Sequence, residues 1–436
     1  MPSQTQPTRR QVLKGALAAT AATALGCGRS RERTGGRVTL DFYTYSNPEW
    51  RDLFGRRLIP AFERDHPGIK IRFNEAFGEM YDGKLLTLIA GKVAPDIFHV
   101  TQSNFPAYAA KAVPLELDEF LENDKSFDLK EIYPKLTDGM RYRGKLLGLP
   151  SDFSTIVMLY NQRLFDRYKI DPPQQGWTWQ DYLETARRLT IDRPEGKIWG
   201  CANQPQYNRW PAWVWMAGGD IFDANVTRCT MDSPESIEGF SFYANLSLKE
   251  KVAARPDLME QEYYQSLFTA GRLGMIADSR YIYKRFLRVR KLDFPWDLVP
   301  MPRGPKAQAT TFIWGGNCIY KGTKHPKECW DFLKFITGPE GAQVTLDGGN
   351  ALPPYRPAAE AEMKHPRAAD IPPNDKLFLD ALTYAQQAPF PRQYPEFTNS
   401  QSVLNECFLG PELGTPEQAC REFAKKVNQF LTADVF

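Results

Sequence analysis

The sequence predicts an α/β protein with a helix-rich carboxyl terminus, and three observations lead to this fold class. Strand-like runs alternate with helical patterns from residue 37 to about residue 314. Beyond that point the clearest patterns are helical. The chain has 436 residues, of which 42% are hydrophobic, so it is long enough for two packed lobes.

The first elements of the folded part follow one another in regular order. Residues 38–43 alternate and are rich in β-branched and aromatic side chains, which predicts a strand. A helix over 53–65, a strand over 68–73 and a helix over 81–90 come next. A third strand over 96–100 completes an order that is typical of an α/β sheet.

A second α/β region begins near residue 156, and no internal repeat is present. The predicted strands are 156–160, 274–277, 297–300 and 311–314. The predicted helices are 179–189, 234–248, 263–270, 327–336, 376–386 and 416–431.

The amino terminus predicts export. Arg9 and Arg10 precede a weakly apolar stretch at 15–25, which resembles a twin-arginine signal over 1–26. This stretch is too short and too weakly apolar to span a membrane, so we expect it to direct export rather than to anchor the chain in the membrane. An ordinary secretory signal remains the alternative.

The signal ends at Ala24-Leu25-Gly26-Cys27, which resembles the lipobox of bacterial lipoproteins. The resemblance implies that Cys27 is acylated, although Ala24 stands where leucine is usual; an incidental cysteine is the alternative. Residues 27–36 are polar and suit a flexible tether. We therefore expect a lipid-anchored protein in the periplasm or at the cell surface.

Charge and cysteine content narrow the remaining classes. The signal carries three basic residues and no acidic ones, so the rest of the chain has 52 basic and 52 acidic residues. This balance gives no excess of positive charge that would bind nucleic acid. Six cysteines follow Cys27, at positions 201, 229, 318, 329, 407 and 420. An even number in an exported chain makes disulfides plausible, with Cys318/Cys329 and Cys407/Cys420 the simplest pairs and free buried thiols the alternative.

Several short segments resemble one family when they are taken together and in order. They are L-I-P-A-F-E-R-D-H-P-G-I-K-I at 58–71, A-G-K-V-A-P-D-I-F-H-V at 90–100, G-K-L-L-G-L-P-S-D-F-S-T at 144–155, L-Y-N-Q-R-L-F at 159–165, W-T-W-Q-D-Y-L at 177–183, A-G-G-D-I-F-D at 217–223 and K-H-P-K-E-C-W-D-F-L-K-F-I-T-G-P-E-G at 324–341. The chain resembles the family 1 extracellular solute-binding proteins, the sugar-binding subunits of ABC importers.

This resemblance implies a two-lobed, periplasmic-binding-protein-like fold whose lobes are joined by crossing strands. It places 37–150 with about 311–355 in an amino lobe, and about 151–310 with 356–436 in a carboxyl lobe. A small solute, in this family a sugar, would bind in the cleft, and hinge closure would present it to the permease subunits of the importer. No cofactor or metal is expected.

A sugar needs aromatic platforms for its apolar faces and fixed polar groups for its hydroxyls. On the family pattern, the residues expected at the ligand are Tyr43, Tyr45, Tyr81, Gln102, Asp152, Ser154, Trp210, Trp213, Asp278, Arg280, Gly315, Gly316 and Arg356. Trp210 and Trp213 lie three residues apart, so on a helix they share a face. If Trp213 is a stacking platform, its replacement by alanine should weaken binding more than tenfold, about 1.4 kcal/mol.

Two other classes of function were weighed against solute transport. A secreted glycoside hydrolase also combines tryptophans with carboxylates, but the chain has no H-E-x-x-H motif and no G-x-S-x-G nucleophile motif. Turnover of a glycoside by the purified protein would favour the enzyme. An adhesin or sensor lipoprotein could use the same fold, and the absence of neighbouring permease genes would favour it.

Overall fold

A computed structural model describes residues 37–436 apart from 47, 256–260, 283–291, 349–350, 365–371, 411–413 and 434–436. The predicted export signal, Cys27 and the tether therefore lie outside the described residues. Twelve strands occur in the described part of the chain, and ten of them form one mixed sheet. The strands are β1 Val38–Tyr45, β2 Ile69–Ala76, β3 Ile97–Thr101, β4 Arg141–Tyr142, β5 Lys145–Leu146, β6 Leu149–Asn161, β7 Trp199–Ala202, β8 Ala253–Ala254, β9 Leu273–Ser279, β10 Trp296–Val299, β11 Thr310–Ile319 and β12 Ala385–Gln387.

Helices cover both halves of this sheet. The α-helices are α1 Pro48–Trp50, α2 Ile59–Asp65, α3 Gly78–Ala90, α4 Phe105–Ala110, α5 Asp118–Asn123, α6 Pro134–Gly139, α7 Gln162–Arg167, α8 Trp179–Leu189, α9 Pro211–Met216, α10 Pro234–Leu248, α11 Gln261–Thr269, α12 Pro326–Thr337, α13 Pro339–Gly348, α14 Arg356–Lys364, α15 Leu377–Asp380, α16 Tyr394–Ser400, α17 Ser402–Leu409 and α18 Pro416–Ala433. A π-helical segment, Arg51–Leu58, joins α1 to α2.

The long strand β6 belongs to both halves of the sheet. Its first part, from Leu149 to Thr155, pairs with β11, whereas Ile156 to Tyr160 pair with β9. All thirteen residues of β6 are buried, which is typical of a strand covered on both faces. Strand β11 has a similar double role, because its end pairs with β3 and its beginning pairs with β12. The order β2-β1-β3-β11-β6-β9-β7-β8 results.

Two hydrophobic clusters lie on either side of these shared strands. One centres on β1 and β3 and includes Phe42, Phe62 and Phe332. The other surrounds α8, α9 and α10 and includes Trp213 and Tyr182. The first cluster also includes Phe268 and Leu298, so it extends past the shared strands into the other half of the sheet.

Helix α8 shows why the first and last residues of some helices could be predicted from the sequence. Thr178 caps it by accepting a hydrogen bond from the amide N–H of Asp181, and the Asp181 carboxylate accepts in return from the amide of Thr178. The buried residues are Trp179, Tyr182, Leu183, Ala186 and Leu189, which recur at helical spacing. Its observed bounds equal the predicted range 179–189.

The helix predicted over 376–386 is wrong. The structure has the short helix α15, a 3₁₀ turn at Ala381–Thr383 and then the strand β12. β12 runs parallel to the start of β11, with Ala385 opposite Thr310. The open sheet edge of β11 supplies backbone partners that outweigh the local helical preference.

The cysteines of the described ranges form no disulfides. All six cysteines in the described residues are free and buried. The suggested pairs Cys318/Cys329 and Cys407/Cys420 are therefore not formed, and the alternative of buried thiols holds. Burial raises the pKa of the Cys229 thiol to about 12 and of the Cys407 thiol to about 11, so both remain protonated at neutral pH.

Candidate functional site

A cavity of about 620 Å³ opens where β3, β6, β9 and β11 come together. Its walls come from both halves of the sheet: Trp50 and Gln102 on one side, and Tyr207 and Asp278 on the other. The carboxyl-terminal helix α16 adds Tyr394. Cavities of this size, with a few converging polar groups, are typical of small-molecule sites.

Aromatic rings form much of the cavity wall. Trp50 stacks on Phe54 with ring centroids 5.0 Å apart and lies 4.5 Å from the His99 ring. Across the cavity, Tyr207 makes an edge contact with Phe390 at 4.9 Å. Trp50, Phe390 and Tyr394 are only partly buried, so each has a ring surface available to a ligand. Such surfaces suit the apolar faces of a sugar ring.

His99, Asp152 and Gly315 meet at the base of the cavity. A Cβ atom at Gly315 would stand 3.0 Å from His99 Nε2 and 3.1 Å from Asp152 Oδ2, so glycine keeps this space free. Asp152 accepts hydrogen bonds from the hydroxyls of Tyr281 and Ser151. Burial raises the pKa of Asp152, and these two hydrogen bonds oppose that rise.

Asp278 and Arg209 form a buried ion pair at the cavity floor. Arg209 Nη2 lies 2.6 Å from Asp278 Oδ1, and both side chains are 2% exposed. Asp278 also accepts from the amide N–H of Ser279 at 2.7 Å and from Gln265 Nε2 at 3.4 Å. The carboxylate is therefore held rigidly by three different segments of the chain.

The loop between β7 and α9 brings a concentration of polar groups to the same region. Several of its buried side-chain atoms have no hydrogen-bond partner in the described protein: Gln204 Oε1 and Nε2, Gln206 Oε1, Asn208 Oδ1, and Arg209 Nε and Nη1. Gln206 and Asn208 line the cavity itself. Because unpaired buried polar atoms are costly, such a cluster points to a region that binds polar molecules.

Four residues expected at the ligand do line this cavity: Gln102, Asp152, Asp278 and Gly315. Gln102 follows β3, and its Oε1 accepts from the amide N–H of Trp314 at 3.1 Å. This bond fixes the loop after β3 to the shared strand β11. Contact of these four with a ligand stays a prediction.

The tryptophans Trp210 and Trp213 lie in the core instead of the cavity wall. Trp210 is 0% exposed and Trp213 is 1% exposed. Trp213 stacks on Tyr243 at 5.2 Å and lies 5.3 Å from Tyr182. Trp213 lies in helix α9, which is buried along its whole length, and Trp210 directly precedes this helix, so both rings pack in the core.

Tyr43, Tyr45 and Tyr81 form a stack behind the cavity. Tyr45 and Tyr81 have ring centroids 4.0 Å apart, and Tyr43 and Tyr81 are 4.9 Å apart. Tyr81 donates from its hydroxyl to the carbonyl oxygen of His99 at 2.6 Å. The three rings therefore pack behind His99 and do not line the cavity.

The remaining predicted residues have structural partners away from the cavity. Arg280 is buried in an ion pair with Asp375, with 3.0 Å between Nη2 and Oδ2. Its amide N–H donates to Ser154 Oγ at 2.8 Å and so ties the end of β9 to β6. Gly316 allows β11 to pack on Met140, and exposed Arg356 donates to the carbonyl oxygen of Lys130 at 3.3 Å.

Several cavity residues were not among those expected from the sequence. Trp50, His99, Trp314, Phe390 and Tyr394 all line the cavity. The sequence could have placed Trp50 and His99 at the site, because both lie near the carboxyl ends of predicted strands, where ligands bind in α/β sheets. Phe390 and Tyr394 follow the segment whose fold was predicted wrongly, so no local pattern could have placed them.

The buried His99 predicts a pH dependence of stability. Burial lowers its pKa from 6.5 to about 4. The unfolded chain therefore binds the proton more readily between these values, so stability is full above about pH 6.5 and is lost as the pH falls toward 4. We expect about 2 kcal/mol less stability at pH 5 than at pH 7 from this group.

The comparison of wild type with His99→Gln isolates this effect. The raised pKa of Asp152 acts in the opposite direction and is common to both proteins. Urea unfolding at pH 7 and pH 5 should show a larger loss for the wild type than for the variant. Equal losses in the two proteins would contradict the assignment.

Two kinds of feature are absent from the described residues. No group of three or more His, Cys, Asp or Glu side chains there could hold a metal ion. No helix in the described ranges is long and apolar enough to cross a membrane.

Comparison with known proteins gives a family match over most of the chain. The model of the bacterial extracellular solute-binding proteins matches residues 48–343. A model of the twin-arginine translocation signal matches residues 6–26, in agreement with the signal predicted from the sequence.

Individual relatives and solved structures agree with this match. An arabinooligosaccharide-binding protein of Halalkalibacterium halodurans is 27% identical over 71% of this chain and 70% of its own length. The sn-glycerol-3-phosphate-binding periplasmic protein of Escherichia coli is 24% identical over 68% of this chain and 71% of its own. An ABC substrate-binding protein from Listeria monocytogenes, solved in complex with cycloalternan, has a TM-score of 0.80 at 25% identity, covering 91% and 99% of the two chains.

Proposed function

This chain belongs to the bacterial extracellular solute-binding proteins, and from that premise we propose that it delivers a carbohydrate to the permease of an ABC importer. Relatives that bind oligosaccharides share its fold, which is the two-lobed α/β arrangement predicted from the sequence. The observation that carries the proposal is the cavity, because its aromatic and polar walls come from both halves of the sheet. A solute held there contacts both lobes at once.

The lobe boundaries support closure about a hinge. We assign 37–150 with about 311–355 to the amino lobe, and about 151–310 with 356–436 to the carboxyl lobe. β6 changes partner from β11 to β9 between Thr155 and Ile156, a few residues after the proposed boundary at about 151. On these bounds the chain crosses again near 310, in β11, and near 355, and a bridge between Phe153 and Leu352 ties the last crossing to β6. Three crossing segments allow the lobes to rotate relative to one another.

Export and anchoring complete the proposal. A twin-arginine signal directs the chain out of the cytoplasm, and acylation of Cys27 would then hold it at the membrane close to the permease. The lipid anchor rests on the resemblance of 24–27 to a lipobox. Mass spectrometry of the protein from membranes tests it, since an acylated amino-terminal Cys27 supports the anchor and an unmodified chain contradicts it.

A thermal-shift screen tests the proposed function. Arabinotriose, maltotriose, cycloalternan and glycerol are the first probes, because a ligand that binds only the native state raises the melting temperature. We expect at least one of these neutral compounds to raise it. If none does, and if the protein instead hydrolyses a glycoside, the transport function is refuted.

Small-angle scattering tests the hinge. We expect the radius of gyration to fall when the stabilising sugar is added, because the ligand favours the state in which both lobes contact it. Wild-type protein with a sugar that gives no thermal shift is the control. An unchanged profile at saturation would contradict hinge closure.

A further inference from the structure

The charged residues of the cavity are all acidic among those that the structure describes. Glu49, Asp152 and Asp278 line the cavity, and no described lining residue is lysine or arginine. Asp152 and Asp278 are each 1% exposed, so their charges act in a region from which water is largely excluded. In such a region an anionic ligand experiences stronger repulsion than it would in water.

The basic side chain of Arg209 is paired with Asp278 through Nη2, while its Nε and Nη1 have no partner in the described protein. Its Nη2 contacts Asp278 Oδ1 at 2.6 Å, and Asp278 lies between it and the cavity. The pair is neutral overall, but only its negative member, Asp278, lines the cavity, so an anion would meet the carboxylate first. Arg209 therefore orients the carboxylate of Asp278 toward the ligand and offers no net positive charge to an anion.

The uncharged polar side chains of the cavity also suit hydroxyl groups better than phosphate. Five carboxamides line the cavity: Gln102, Gln206, Asn208, Gln265 and Gln401. A carboxamide both donates and accepts hydrogen bonds, as a hydroxyl group does, whereas a phosphate dianion only accepts. The carboxylates of Asp152 and Asp278 likewise require donors. Hydroxyl groups satisfy both sets of partners, and phosphate oxygens satisfy only the amide donors.

We propose that this cavity selects uncharged, hydroxyl-rich solutes and rejects phosphorylated ones, and that the Arg209–Asp278 pair is the element that excludes phosphate. The inference rests on the proposed function and narrows it. It separates this chain from phosphate-bearing solutes such as sn-glycerol 3-phosphate and places it with binders of neutral carbohydrates.

Titration of the wild-type protein gives the first test. Calorimetry at pH 7.5 compares maltotriose, arabinotriose, glycerol and sn-glycerol 3-phosphate. We expect a neutral probe to bind at least tenfold more tightly than sn-glycerol 3-phosphate, about 1.4 kcal/mol. Tighter binding of the phosphate overturns the inference while leaving solute binding intact. Binding of none of the four overturns the proposed function and the inference with it.

Removal of the Asp278 carboxylate gives the second test. Asp278→Ala leaves the buried guanidinium of Arg209 unpaired and opens a path to it from the cavity. We expect a lower melting temperature that inorganic phosphate partly restores, because the anion replaces the missing carboxylate. Phosphate should leave the wild type unchanged.

Another buried pair in the described part of the chain, Arg280 with Asp375, provides the matched control. Asp375→Ala removes the partner of Arg280, whose side chain is 1% exposed and lies outside the cavity lining. Phosphate should not restore this variant. Equal restoration of both variants, or of neither, overturns the role assigned to the Arg209–Asp278 pair, and the wild-type titration still decides the selectivity if either variant fails to fold.

Discussion

Replacement of Trp213 by alanine should lower the free energy of unfolding by about 3–5 kcal/mol and leave sugar affinity unchanged. The indole is 1% exposed and packs against Tyr243, Phe242 and Tyr182 at 5.2–5.5 Å. Gly239 brings α10 against α9, because a Cβ there would stand 2.4 Å from the carbonyl oxygen of Trp213. Neighbouring backbone is therefore too close to collapse freely into the space that the indole leaves.

Urea unfolding followed by circular dichroism measures this loss. Trp213→Phe is the matched variant and should lose less, since it retains an aromatic ring. A stable Trp213→Ala protein that binds its sugar more than tenfold more weakly would restore the original expectation from the sequence, that this ring is a ligand platform, and would contradict the packing role.

Replacement of Trp50 by alanine should have the opposite pattern. Trp50 is partly exposed, lines the cavity and is held in place by Phe54 and His99. A sugar stacked on the indole loses that contact in the variant, so we expect affinity to fall at least tenfold, about 1.4 kcal/mol or more. Stability should change little, because much less of the ring is buried than at Trp213.

Calorimetry with the sugar identified in the thermal-shift screen measures this effect. Trp199→Ala is the control, since Trp199 is also partly buried but lies in β7 away from the cavity, with Lys197 Nζ 4.5 Å from its ring. An equal loss of affinity in both variants would point to a general structural effect. Full affinity in Trp50→Ala would remove Trp50 from the site.

Local sequence determined the helices and strands that carry their own signals. α8 has a capping box and regular apolar spacing, so its bounds could be predicted. The first half of β6 contains Pro150, Ser151 and Asp152, residue types that favour turns, so only 156–160 was recognised as a strand from its own pattern. β12 depends on the free edge of β11, a partner that lies far away in sequence.

The candidate site likewise contains residues that the sequence could place and residues that it could not. Asp152 and Asp278 follow from the family resemblance, because each lies beside a recognisable segment. Trp210 and Trp213 were misplaced because sequence alone does not distinguish a ring that packs in a core from one that faces a cavity. Phe390 and Tyr394 reach the cavity only through the fold of the carboxyl-terminal segment, which no local pattern encodes.

A crystal structure of the mature protein with the stabilising sugar is the decisive test of the binding site. We predict one sugar in the cavity, with a ring against Trp50 or Tyr394 and hydroxyl groups donating to Asp152 and Asp278. A sugar bound outside this cavity, or one that contacts Trp210 and Trp213 in its place, would contradict the account.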